Sequence, residues 1–505
     1  MKILCLGNNT EDTDIKTKNL ALKNLVECHG LLSDLDNTVT IDNINKSGYY
    51  HSSVYDIEYG KLLEFGQYFD QVVVLDQSKE EYSHPDAFYK TIRLATELKT
   101  TTEVIFLNLS SNTDIMFFEE LVETNKSFCI FPFIELLTNM RGDGYTTVCC
   151  RSVEPVTKLS ELTNFQTNAD YQLIRNKMIA GELNSSHCKQ CYEYENIGIR
   201  SARQQETVEW ANRLNLTSLN DLSNINHPVY YEIRPSNICN LQCRMCDPAY
   251  SNRIAKEYKK IKLISTIPVD EKTNFDIINF TNLKKLYVAG GEPTAMPEFY
   301  DFLDKCIDTN HTDFEFLVNT NATKINNRFK KQLKYFSNFQ FMISIEAVGD
   351  INHYIRWPSK WDTIIENMHY LRNNNHTIAT NTTVSIYNVT NLYTLLKFFD
   401  DEFPGMLVHC GPCNSKNDIL SGFKFPDAKM ALDRLLPITT LNCYKNDRLL
   451  KNFIDTLIAH YQTNPTPDLV ALKLFFEFND KLDLSRNVRL ADYILELEKA
   501  RKLIL

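Results

Sequence analysis

Cys239, Cys243 and Cys246 stand at C-x3-C-x2-C spacing in the segment Asn237-Ile238-Cys239-Asn240-Leu241-Gln242-Cys243-Arg244-Met245-Cys246-Asp247-Pro248, directly after the strand-like run YYEIR (230–234). Thiolate is the usual protein ligand of iron–sulfur clusters. Three thiolates can hold three irons of a [4Fe–4S] cube and leave the fourth open to a substrate or cofactor. A structural zinc site is instead closed by a fourth ligand. No cysteine or histidine follows until Cys306, beyond the next strand-like run, which favours the open site.

The surrounding chain has the rhythm of a parallel α/β fold. The runs YYEIR, KKLYVAG (284–290), FEFLVNT (314–320), FQFMISIE (339–346) and TNTTVSI (380–386) are separated by helical stretches. That alternation predicts a parallel barrel or partial barrel over 226–430. Upstream, ILCLG (3–7), QVVVLD (71–76) and EVIFLNL (103–109) alternate with helix-like Ile15–Cys28 and His84–Leu98, predicting a small α/β domain over 1–122. A cysteine-rich region, 123–215, lies between them, and 431–505 reads as amphipathic helix, for example at Asp447–His460 and Leu490–Leu503. With 505 residues the chain exceeds one ordinary core.

Bulk properties narrow the class. A net charge of −10 argues against nucleic-acid binding, and the apolar runs are too short and too charged to span a membrane. The run at Met1–Gly7 is too short for a signal-peptide core and reads as a strand. A cytoplasmic location is therefore expected, where 14 cysteines point to metal or redox ligands rather than a disulfide framework.

The triplet resembles the signature of the radical S-adenosylmethionine (SAM) superfamily, and further segments follow in that family's order. Gly290-Gly291-Glu292-Pro293 resembles its GGEP motif, which in relatives binds the amino group of SAM. Adjacent glycines let backbone carbonyls approach closely, and Glu292 offers an acceptor for an ammonium. Ser344 and Glu346 resemble the family's strand-four serine/acid pair, and Arg356 the arginine that follows. In relatives these contact the ribose and the carboxylate of SAM. Asn319 is a candidate of the same type, and Thr383-Val384-Ser385-Ile386 resembles a strand bordering the adenine. Met245 stands where the family often has an aromatic residue; its thioether can pack against adenine.

A second set of cysteines precedes the first. Cys129 and Cys149 would face each other across a hairpin turning at Asp143-Gly144, and Cys188-x2-Cys191 could complete a four-thiolate site for a cluster or for zinc. The spacing C-x14-G-x4-C, with Gly144 as its glycine, resembles the opening of SPASM/twitch domains. The shorter twitch form fits better, implying one auxiliary [4Fe–4S] cluster on Cys129, Cys149, Cys188 and Cys191. Cys149 and Cys150 compete for one position, and the glycine spacing favours Cys149. In the better-known relatives this domain follows the barrel; here it precedes it. Cys410-Gly411-Pro412-Cys413, just after the predicted strands, is a second C-x2-C without a partner pair, while Cys5, Cys28, Cys306 and Cys443 read as buried small hydrophobes.

The resemblance implies a partial (βα)6-type barrel and reductive cleavage of SAM to a 5′-deoxyadenosyl radical that abstracts a substrate hydrogen, with electrons from a donor such as flavodoxin or ferredoxin. Twitch and SPASM relatives commonly modify peptides or proteins, so a peptide substrate is expected first. Oxidation or epimerisation of a carbohydrate or other small metabolite is the alternative. A non-catalytic iron–sulfur or zinc-binding scaffold is the alternative of another class; the intact triplet and GGEP argue against it.

Overall fold

The computed structural model describes residues 3–7, 49–53, 71–76, 103–108 and 115–501, the last range without 140–143, 153, 197–199, 269–274 and 414–418. The expected helices Ile15–Cys28 and His84–Leu98 lie outside the described residues. The chain divides into two compact units, one comprising Met1–Glu120 with Asn215–Ser218 and the other the remainder.

The first unit contains a parallel sheet of β1 (Ile3–Gly7), β2 (Tyr49–Ser53), β3 (Gln71–Asp76) and β4 (Glu103–Asn108), in the order β2-β1-β3-β4. Strand β2, YYHSS, has too little apolar character to be read from sequence.

The second unit is built on eight strands: β5 (Glu135–Asn139), β6 (Tyr145–Thr147), β7 (Tyr230–Ile233), β9 (Lys285–Val288), β10 (Glu315–Thr320), β11 (Phe339–Ser344), β13 (Thr377–Val384) and β14 (Leu407–Pro412). They run in the order β14-β13-β11-β10-β9-β7-β5-β6, and only the β5–β6 pairing is antiparallel. The stretch β7 to β14 is a six-strand parallel core with helices in the crossovers, the partial (βα)6 count that the family resemblance implies; five of its strands are the runs read from sequence and β14 is the sixth. Strand β14 includes Cys410, so this cysteine lies within the last strand rather than after it. The short strands β8 (Gln242–Cys243) and β12 (Arg356–Trp357) form a separate antiparallel pair.

Each central strand has two different faces. On β10 and β11 the buried residues Phe316, Val318, Phe339, Phe341 and Ile343 alternate with Leu317, Asn319, Gln340, Met342 and Ser344. The first set joins an aromatic core with Phe299 and Phe329, whose ring contacts include Phe316–Phe339 at 4.3 Å and Phe299–Phe329 at 5.7 Å. The second set is more polar, and it carries Asn319 and Ser344 at the C-terminal strand ends, where parallel α/β folds place their sites.

The cysteine-rich region shares this sheet. Strand β5 pairs in parallel with β7, Glu135 opposite Tyr230 and Leu137 opposite Glu232, while the hairpin to β6 sets Leu137 opposite Thr147. Cys129 precedes the short helix Phe131–Ile134 and is not on the hairpin itself. Helix Ala202–Arg213 opens with a capping box, Ser201 and Gln204 exchanging side-chain and backbone hydrogen bonds. Its Arg203 is 2% exposed. It donates to the carbonyls of Val122, Asn125 and Phe128 and forms a fork with Glu195 at 2.8 Å through both Nε and Nη2. Removing the guanidinium would leave a poorly hydrated carboxylate and three carbonyls without their donor. Arg203→Ala is therefore expected to cost about 3–5 kcal/mol, read as a lower urea midpoint of the full chain.

Candidate functional site

The C-terminal ends of β7, β9, β10 and β11 bring the first constellation together. Strand β7 leads into the cysteine loop, where the Leu241 N–H donates to Cys239 Sγ at 3.5 Å and the Cys246 N–H to the Cys243 carbonyl at 3.1 Å. Cys243 is buried; Cys239 and Cys246 are half-buried. Burial pushes the Cys239 thiol up to about 12, with Cys243 adding to the shift. Cys246 is raised by burial, then by Cys243 and Cys239. Three thiols close enough to oppose one another's ionisation are a donor set that a cationic iron–sulfur centre would relieve.

The glycine turn after β9 is locked to that loop. Gly290 and Gly291 have φ of +82° and +54°. A Cβ on Gly291 would stand 2.3 Å from the Ile238 carbonyl oxygen and 2.8 Å from that of Ser236. The next N–H, of Glu292, donates to the Ile238 carbonyl at 2.7 Å. Only glycine allows so close an approach in this backbone conformation.

Two acidic residues are engaged by the fold around them. Glu292 is 1% exposed. Its carboxylate accepts from the Thr294 N–H and hydroxyl at 3.1 and 2.6 Å, the Thr320 hydroxyl at 2.7 Å and the Asn321 N–H at 2.6 Å. The acceptor that sequence offers to an ammonium is thus occupied in joining the turn to the end of β10. Glu346, also 1% exposed, accepts from Arg356 Nη1 at 2.9 Å and the Thr383 N–H at 2.7 Å. It orients Arg356. Burial raises the Glu346 pKa to about 7, with Arg356 opposing the shift.

Arg356 itself is part of the loop's framework. It pairs with Cys243 in the β8–β12 ladder, and its Nε is buried without a hydrogen-bond partner. A buried guanidinium N–H beside the cysteines is suited to a carboxylate. Asn319 and Ser344 meet on adjacent strand ends, the hydroxyl donating to Asn319 Oδ1 at 3.3 Å. Sequence reasoning missed Asn240, whose Nδ2 donates to Thr323 Oγ1 at 2.7 Å and whose Oδ1 accepts from Asn321 Nδ2 at 2.8 Å. It also missed Asn388, which donates to the Glu346 carbonyl at 2.9 Å. Neither has a sequence signal beyond being a short amide near a motif.

The second constellation lines a cavity of ≈ 140 Å³ that includes Cys129, Cys149, Cys150, Cys188 and Cys191. Burial raises Cys129 strongly, and Cys188 and Cys191 add to it. Burial also raises Cys149, followed by the charges of Glu135 and Cys129. Cys150 differs in being exposed, with Glu232 and Glu135 among the charges beside it. Cys149 has another thiol of the predicted set, Cys129, as well as Glu135 among its neighbours. Tyr230 and Lys285, the first residues of β7 and β9, line the same cavity. The two cysteine sets therefore lie toward opposite ends of the core strands. Cys410 has Cys443 as its neighbouring thiol and Glu346 as a neighbouring charge. Among the described residues no group of three or more Cys, His, Asp or Glu is arranged to hold a single metal ion. A cube spreads its thiolates more widely than one tetrahedral ion does.

Residues 233–402 match the family model described as the radical SAM superfamily. Members of that superfamily are enzymes. No curated protein matches the chain. Among solved structures, Streptococcus suis SuiB bound to S-adenosylmethionine is 17% identical, with a TM-score of 0.27, over 53% of this chain and 59% of that one. Native anSMEcpe with bound AdoMet is 17% identical, with a TM-score of 0.30, over 42% of this chain and 59% of that one. Streptococcus suis SuiB bound to precursor peptide SuiA is 14% identical, with a TM-score of 0.27, over 63% of each chain. The chain thus spans about three fifths of the length of these structures. Among the described residues no helix is long and apolar enough to cross a membrane.

Two outcomes follow from the geometry. Gly291→Ala must displace either the turn or the loop, so a loss of at least about 2 kcal/mol is expected from backbone strain and overlap. A lower melting temperature would report it. For Glu346 the folded-state pKa of about 7 lies above the ordinary 4.5. Its contribution to stability is fully present below the ordinary value and is lost as pH rises through the folded one. Glu346→Gln is expected to flatten the fall in melting temperature between about pH 5 and 8.

Proposed function

We propose that the chain is a radical SAM enzyme in which Cys239, Cys243 and Cys246 hold a [4Fe–4S] cluster and SAM lies beside it, and that its substrate is a peptide or protein. The observation that carries the reading is the attachment of the Gly290–Gly291 turn to the cysteine loop, with the unpartnered Arg356 Nε beside the same loop. A cluster held by Cys239, Cys243 and Cys246 would supply the one-electron reduction by which SAM becomes a source of hydrogen-abstracting chemistry.

The chain's own residues supply the rest. The three thiols lose their protons to become ligands. Carbonyls of the glycine turn accept from the ammonium of SAM, and Arg356 Nε donates to its carboxylate while Glu346 holds the guanidinium in place. Asn319 and Ser344 are positioned for the ribose hydroxyls. The protein orients the cofactor and keeps solvent out, while the cofactor does the difficult chemistry. Cys129, Cys149, Cys188 and Cys191 hold an auxiliary [4Fe–4S] cluster, and a flavodoxin or ferredoxin in the cytoplasm delivers electrons. The likeness of the Cys129–Gly144–Cys149 spacing to twitch domains supports a peptide substrate.

The test is anaerobic incubation of the reconstituted full-length protein with SAM and dithionite. Formation of 5′-deoxyadenosine is expected, and its loss when any of the three cysteines becomes alanine. Arg356→Ala should weaken SAM binding by roughly 10–100-fold, the equivalent of losing a hydrogen bond to a charged group. Absence of 5′-deoxyadenosine from verified, cluster-loaded protein would refute the reading.

A further inference from the structure

Between the first and last cysteines of the triplet stands one charged side chain that the chemistry above does not use. Arg244 lies between Cys243 and Cys246 and is fully buried. A guanidinium cannot shed its charge, so its burial requires acceptors and a counter-charge. It has both. Nε donates to the Tyr354 carbonyl at 2.8 Å, Nη1 to Asn479 Oδ1 at 2.9 Å and Nη2 to Asp483 Oδ1 at 2.6 Å. The guanidinium carbon lies 3.5 Å from the Tyr354 ring centroid. Asn479 and Asp483 are in turn fixed. The Tyr387 hydroxyl donates to Asn479 Oδ1 at 2.9 Å, and the Leu490 N–H donates to Asp483 Oδ2 at 2.7 Å.

Both acceptors belong to the helix Leu469–Arg486, the longest in the C-terminal region. That helix makes a second buried link. Arg486 forks onto Glu257 at 2.9 and 2.7 Å, and Glu257 also accepts from Gln242 of the cysteine loop at 3.2 Å. Glu257 lies on Asn252–Lys260, the helix that follows the loop. The Arg244 backbone N–H donates to the Ile355 carbonyl at 2.9 Å, and Cys243 pairs with Arg356. A shift of Arg244 would therefore move a thiol and the Arg356 backbone together.

We propose that Asp483 and Asn479 are positioning residues for the cluster: acting through Arg244, they set the placement of Cys243 and Cys246, and the last long helix is part of the cluster site. Hydrogen-bonded groups behind a metal's ligands commonly decide how firmly those ligands hold it. The proposal rests on the triplet's being the cluster-binding residues.

The experiment compares the reconstituted full chain with Asp483→Asn, which removes the counter-charge with little change of shape, and with Asn479→Ala. Asp480→Ala is the control; it breaks an exposed pair with Arg501 on the same helix. Folding is checked by circular dichroism. Two properties are read: iron release to a chelator, and the change that added SAM produces in the electron paramagnetic resonance spectrum of the dithionite-reduced protein. Each folded variant is expected to retain iron about 10–100-fold less firmly and to show an altered or missing SAM response, with the control like the parent. Either variant, if folded and parent-like in both properties, overturns the proposal. If one does not fold, the other decides. A parent that holds iron but never responds to SAM would instead defeat the radical SAM reading itself.

Discussion

The meeting of Gly291 with the Ser236 and Ile238 carbonyls is the contact on which the site depends. It joins the loop after β7 to the loop after β9 at a distance that no side chain could share. The Glu292 carboxylate extends the junction to the end of β10 through Thr320 and Asn321. Three successive strand ends become one rigid platform. The Glu292 carboxylate is an internal brace of that platform.

The cysteine-rich region is bound to the core by a different principle. It contributes β5 to the same sheet, so the two regions share backbone hydrogen bonds rather than a side-chain interface. Its thiols gather around the first residues of β7 and β9, while the triplet follows the last residue of β7. A strand of four residues rises roughly 13 Å, which separates the two cysteine sets by the length of the core itself. A cysteine region placed before the core in sequence can thus reach the end of the sheet away from the triplet.

Much of this was legible in sequence because it is local. The strands β7, β9, β10, β11 and β13 announce themselves by apolar runs, and the triplet and glycine turn by spacing. Strand β14 was harder, since Leu407-Val408-His409-Cys410-Gly411-Pro412 mixes polar residues with glycine and proline. The roles of Glu292 and Glu346 were not legible. A carboxylate beside a motif looks available until Thr320, Asn321 or Thr383 is brought to it by the fold. Arg244 was invisible for the same reason: nothing between Cys243 and Cys246 reveals an acceptor on the final long helix. Spacing identifies which atoms are offered, whereas only packing determines which are already engaged.

The pairing of Arg244 with Asp483 spans 239 residues of chain. During synthesis the arginine leaves the ribosome long before its carboxylate exists, and the cysteine loop around it waits without a counter-charge. Closing so long a loop carries an entropic cost that local contacts do not share. The helix Leu469–Arg486 therefore cannot be regarded as an appendage to a finished core. It completes the buried charge, so the loop reaches its final placement only once chain 239 residues further on has been made.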